Sequence, residues 1–174
     1  MEKKNLYIMV GIPGCGKSYI AQHFMMVDSS WAYVSRDDIR FSMLQSGDKY
    51  FAQEKNVYKK YIEAIYENLN KEGITNVIAD ATHINSVSRD RLIHTLTNKG
   101  VNFENINIIP VVVGNDINTT IANNNSREGI KKVPEGIIHS FRKKYGDPKF
   151  DRQDYYDIMY INNCKNQILR GKEM

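Results

Sequence analysis

Between Leu6 and Phe24 the hydrophobic pattern changes twice. Leu6 to Val10 is a short apolar run of the kind that forms a buried strand, and from Lys17 onward apolar residues return at helical spacing. Between them, Gly11-Ile12-Pro13-Gly14-Cys15-Gly16-Lys17-Ser18 fits the phosphate-loop pattern G-x-x-x-x-G-K-[ST]. Glycines let successive N–H groups converge on one centre, and the following helix adds the positive end of its dipole there. The motif implies a nucleoside-triphosphate site, ATP or another NTP, contacted by Gly11, Ile12, Pro13, Gly14, Cys15, Gly16, Lys17, Ser18 and the adjoining Tyr19. Lys17 would reach the β- and γ-phosphates as a catalytic cation, and Ser18 would ligate Mg²⁺. The plain alternative is a glycine-rich turn with no ligand. Cys15 is either a reactive thiol at a helix N-terminus or a small filler.

Strand-like and helical runs then alternate to the end of the chain. Further strands are expected around Tyr33-Val34, from Ile74 to Ala79, from Ile106 to Val113 and from Tyr156 to Ile161. Helices are expected from near Lys17, Asp37, Phe51, Ser86, Asn115 and Pro134, the last with Gly146 just past its end. In the helix after Phe51, Tyr58, Tyr61, Ile62, Ile65 and Leu69 form one apolar stripe. Such alternation predicts an α/β fold with a five-stranded parallel sheet covered on both faces, in a single domain of 174 residues. A net charge of +4 suits an anionic ligand but falls short of a nucleic-acid coat. Cys15 and Cys164 show no paired-ligand spacing, and no apolar run spans a bilayer. A cytoplasmic protein with no membrane partner is therefore expected, of unspecified oligomeric state.

Ligands of such sheets lie beyond the carboxyl ends of the strands, so the residues there carry the chemistry. After the second strand come Ser35-Arg36-Asp37-Asp38-Ile39-Arg40. One of the aspartates could accept the proton of an acceptor hydroxyl while Arg40 holds an acceptor phosphate; alternatively an aspartate merely caps the helix. After the third strand comes Asp80-Ala81-Thr82-His83, where Asp80 is a candidate Mg²⁺ ligand or a turn former. His83 is either an acceptor-site donor or structural. Ser126 to Val133, with Arg127, reads as a mobile lid whose arginine could stabilise the transferring phosphoryl group, or as a solvated connection. No glutamate follows Asp80, and "TNKG" at Thr97 breaks the base-reading pattern of switch proteins. Both features weigh against a switch or an ATPase subunit.

The motifs "GIPGCGKS", "SRDDIR", "DATHIN" and "REGIKKVP", with a terminal "DYYDIMYI", resemble the small P-loop kinases related to the kinase domain of bacteriophage polynucleotide kinase. The resemblance runs from Leu6 to about Asn162 and implies the small-kinase type of P-loop NTPase fold, with a short lid over about 126–134. It implies transfer of the γ-phosphoryl group of ATP to a polynucleotide 5′-hydroxyl, or to a small molecule such as a nucleoside, an antibiotic or a nucleotide sugar. By the same resemblance Asp37 is the general base and Arg40 contacts the acceptor's phosphate. Asp80 and Thr82 line the acceptor pocket, with Arg36, Asp38 and His83 on the acceptor side. Two departures stand out. The family's lid arginine falls on Glu128, with Arg127 one place early, and a second expected arginine falls on Asn124. The Asp-x-Asp-Gly-Thr motif of the companion phosphatase domain does not occur in these 174 residues.

Overall fold

A computed structural model describes residues 3–114, 116–145, 148–162 and the backbone of 167–170. Six strands form one sheet: β1 (Lys4–Val10), β2 (Trp31–Ser35), β3 (Asn76–Asp80), β4 (Ile106–Gly114), β5 (Met159–Asn162) and β6 (Gln167–Arg170). Their order across the sheet is β2-β3-β1-β4-β5-β6. The first five run parallel, as the alternation predicts. The sixth, not anticipated, returns antiparallel along β5, with Met159 opposite Arg170 and Asn162 opposite Gln167. The expected roles of Gly146 and Cys164 lie outside the described residues.

The helices are α1 (Lys17–Met25), α2 (Arg36–Met43), α3 (Glu54–Asn70), α4 (Ser86–Asn98), α5 (Ile117–Asn125) and α6 (Glu135–Tyr145). Short side chains set several starts. Ser35 accepts the Asp38 N–H, Asn85 the Ser88 N–H and Asp116 the Thr119 N–H. Strand alternation sends β1 into two cores at once. Leu6, Ile8 and Val10 join Tyr61, Ile65, Leu92 and Leu96 of α3 and α4. Met9 faces the opposite side, where Ala21 of α1 and Ile138 of α6 pack against Ile78 and Val111. Burial on both faces is what makes β1 a continuous apolar run.

Register then brings the chemistry to one edge. Ser35 pairs with Asp80 and Val34 with Ala79, while Ile8 lies beside Ala79. The "SRDDIR" turn, Asp80 and the phosphate loop therefore leave the sheet at the same carboxyl end.

Candidate active site

The loop after β1 has the backbone that anion binding requires. Gly14 and Gly16 sit at φ +87° and +101°, where a side chain would be strained. At Gly14 a Cβ would also meet the Thr120 carbonyl oxygen of α5 at 2.5 Å. The Gly11 N–H donates to the Thr82 carbonyl at 3.2 Å, which ties the loop to the strand end carrying Asp80. Asn123 of α5 donates to the Gly14 carbonyl at 3.1 Å. The Lys17 ammonium donates to the Ile12 carbonyl at 3.1 Å, across the arch of the loop. A cleft of about 490 Å³ opens there, lined by Gly14, Gly16, Lys17, Ser18, Tyr19, Thr119, Asn123, Ser126 and Arg127.

At the inner wall, Ser18 Oγ donates to Asp80 Oδ2 at 2.7 Å, and the Tyr33 hydroxyl donates to the same oxygen at 2.7 Å. Burial, then the Asp80 charge, pushes the Tyr33 phenol upward, so it stays a donor. A hydroxyl and a carboxylate at hydrogen-bonding distance beside a phosphate loop fit Mg²⁺, which takes few protein ligands and fills its shell with phosphate and water. Ser18 and Asp80 would hold it.

The acceptor side is built around α2. Asp37, with its side chain 56% exposed, accepts from Arg40 and from the Tyr50 hydroxyl at 2.7 Å, both on Oδ1. Arg40 is enclosed, its side chain only 5% exposed, and donates also to Glu54 Oε2 at 2.8 Å and to Tyr50 Oη at 2.8 Å. Arg36 pairs with the other oxygen of Glu54 and lies over the Tyr58 ring at 5.1 Å. Burial, then the Asp37 charge, pushes the Tyr50 phenol up as well, keeping it protonated.

The lid is a closed loop. Asn124, buried at the end of α5, donates to the Val133 carbonyl at 2.7 Å and accepts the Val133 N–H at 2.9 Å. Between them the chain makes a 3-10 turn at Gly129–Lys131. Arg127 lines the nucleotide cleft, and Lys131 lies over the Phe41 ring of α2 at 5.0 Å. The segment thus touches both halves of the site.

The family model described as AAA domain (AAA_33) matches residues 6–148. The chain belongs to that family. It is a P-loop domain of the small-kinase type, a class that uses a nucleoside triphosphate and typically a divalent metal. A chain of the Pnkp1/Rnl/Hen1 RNA repair complex is 26% identical with a TM-score of 0.65, over 86% of this chain and 48% of that one. The P-loop kinase described here thus spans about half of that relative's length. A fungal RNA kinase is 12% identical with a TM-score of 0.64, over 93% of this chain and 77% of that one. A sugar kinase from Janibacter is also 12% identical, with a TM-score of 0.53, over 92% and 85%. Among curated proteins nothing matches. No helix among the described residues is long and apolar enough to cross a membrane.

Several expectations change in this kinase. The residue that caps α2 is Ser35; Asp37 and exposed Asp38 occupy the first turn instead. Arg40 is enclosed among Asp37, Glu54 and Tyr50 rather than presented to an acceptor phosphate. His83 is buried at φ 36°, its Nε2 3.0 Å from the Tyr61 hydroxyl, which favours its structural alternative. Cys15 is buried in the core beneath the loop, which favours the filler. Arg89 is fully buried: it donates to the His83 carbonyl at 2.8 Å and to that of Lys149, and stacks on Phe150, so it is not free to follow a polymer's phosphates. Glu54 at the start of α3 and Tyr50 in the turn before it were not foreseen, because only the packing of that segment on α2 brings Glu54 to Arg40 and Tyr50 to Asp37.

Proposed function

We propose that this P-loop kinase transfers the γ-phosphoryl group of ATP to the 5′-hydroxyl of a polynucleotide. The observation that carries the reading is the state of Asp37. Its Oδ1 takes both the Arg40 and Tyr50 hydrogen bonds, so Oδ2 is left to accept a proton from an acceptor hydroxyl. Arg40, itself locked by Glu54, holds that carboxylate in place. On the other side of the site Lys17 neutralises the β- and γ-phosphates and Arg127 faces charge on the transferring group. Mg²⁺ held by Ser18 and Asp80 would neutralise phosphate charge as the bond to the leaving oxygen lengthens. The match to an RNA repair complex, at 26% identity, supports a nucleic-acid acceptor. A small-molecule acceptor is the second reading. It is favoured by the internal pairing of Arg36, Arg40 and Arg89, which leaves few cations to follow a phosphate backbone.

The deciding experiment supplies γ-labelled ATP with 5′-hydroxyl DNA, 5′-hydroxyl RNA, nucleosides, sugars or no acceptor. Label at oligonucleotide 5′ ends is expected, with an acceptor KM that rises between roughly 50 and 200 mM salt while the ATP KM moves less. Label on free nucleosides or sugars alone would establish the second reading.

A further inference from the structure

Residues 45–54 form a hydrogen-bonded turn beside Asp37 in which Tyr50 and Glu54 serve Asp37 and Arg40, while Phe51 has no part in the reaction machinery. Asp48 accepts the Gln45 N–H at 2.9 Å and returns its own N–H to the Gln45 carbonyl at 3.1 Å. Ala52 and Glu54 N–H groups donate to the Lys49 and Phe51 carbonyls at 2.9 and 3.2 Å. The turn encloses a cleft of about 530 Å³ lined by Gly47, Asp48, Lys49, Tyr50, Phe51 and Ala52. At its rim Phe51 is 68% exposed, although its neighbour Tyr50 is held by Asp37.

The exposed ring belongs to a cluster with a defined chemistry. Phe51 stands edge-on to Tyr50 at 4.7 Å, and Tyr50 edge-on to Phe41 at 6.1 Å. Lys131 of the lid lies 5.0 Å from the Phe41 centroid, and exposed Lys49 is on the same turn as Phe51. Aromatic rings interleaved with cations are what single-stranded nucleic acid uses: rings meet bases and cations meet the backbone. The chain Phe51–Tyr50 ends on the Asp37 carboxylate, which puts Phe51 on the acceptor side of the site.

We propose that Phe51 is the stacking subsite for the nucleobase at the acceptor's 5′ end. This rests on the polynucleotide reading above and adds to it: the terminal base is held by its flat face rather than read by its edges. Stacking of this kind tolerates any base. A sugar or other saturated acceptor offers no such face.

The test compares the wild type, Phe51→Ala and Phe51→Trp on two single-stranded 5′-hydroxyl oligonucleotides, one with an ordinary 5′ nucleotide and one abasic there. Base removal is expected to raise the wild-type acceptor KM about tenfold or more. Phe51→Ala should raise KM for the ordinary acceptor by a similar factor and be indifferent to base removal, while Phe51→Trp keeps the base effect. The ATP KM and the melting temperature should stay near wild type in both variants. A Phe51→Ala enzyme with wild-type acceptor KM, or with an undiminished base effect, overturns the subsite and leaves the polynucleotide reading standing. If the wild type labels no oligonucleotide but labels a small acceptor, the polynucleotide reading itself has failed, and the subsite with it.

Discussion

Asp37 would act on the acceptor's proton and touch neither ATP nor its metal, which makes its role separable by substitution. Asparagine there keeps the shape and loses the proton acceptor and the charge. Because the side chain is half exposed and Arg40 keeps Glu54, the fold should tolerate the change. Asp37→Asn is expected to lower kcat by roughly 10²-fold or more. The ATP KM and thermal stability should be nearly unchanged. Tyr50→Phe provides a graded companion: it removes one of the two donors on Oδ1 and leaves Arg40 in place. A fall in kcat of about 3- to 10-fold, the scale of one hydrogen bond of roughly 1 kcal/mol, is expected. Steady-state kinetics of both variants decide the matter. Normal transfer by Asp37→Asn would leave that aspartate with only an electrostatic role at the α2 N-terminus, and loss of ATP binding would assign it to the metal.

Among the elements, the lid is the one whose closure depends on a single side chain. Asn124 satisfies both backbone groups of Val133, so the eight residues between them are pinched into a loop that carries Arg127 to the nucleotide cleft. The position where resemblance leads one to expect an arginine is enclosed, and a short amide fits there. Asn124→Ala should release the loop, because it removes two hydrogen bonds and leaves the partly buried Val133 groups unpaired. Trypsin cleavage at Arg127, Lys131 or Lys132 should then accelerate well beyond the wild-type rate, with a melting point lower by several degrees. Unaltered cleavage would mean that something else closes the lid. The elements themselves were largely legible: periodicity alone places β1, β3, β4 and α4 within about two residues. β6 was not, since Gln167–Arg170 is four residues long with polar ends and carries no alternation that a sheet face would impose. The packing of α3 and the turn before it on α2, which delivers Glu54 to Arg40 and Tyr50 to Asp37, is a tertiary event, and no local pattern announces it. The phosphate loop was legible in full because its chemistry is local, whereas the surroundings of Arg40 are not.

At the scale of the whole molecule, three arginines around the site are drawn inward, while most lysines stay exposed. Arg40 and Arg89 are buried and Arg36 is half-buried, with carboxylates, carbonyls and rings as their partners. These three arginines therefore add little to the surface charge that the net +4 represents. His83 sits within this arrangement, enclosed against Tyr61. Burial first, then the Arg36, Arg89 and Lys17 charges, lowers its pKa from 6.5 to about 3. It is therefore neutral in the folded protein, whereas in the unfolded chain it takes up a proton below about pH 6.5. The sign follows: His83 costs no stability above pH 6.5, and stability is lost as pH falls from there toward 3. By pH 5 the loss is about 2 kcal/mol, from roughly 1.4 kcal/mol per pH unit. Other groups titrate over the same range, so the measurement must be a difference. His83→Asn serves, because asparagine also accepts a left-handed backbone but does not titrate. At pH 7.5 the variant should be less stable than the wild type, having lost the contact with Tyr61. As pH falls to 5 the gap in unfolding free energy, read from urea titrations, should close by about 2 kcal/mol. A gap that stays constant would show that His83 takes up a proton in the fold as readily as in the unfolded chain, and that its enclosure does not exclude the charge.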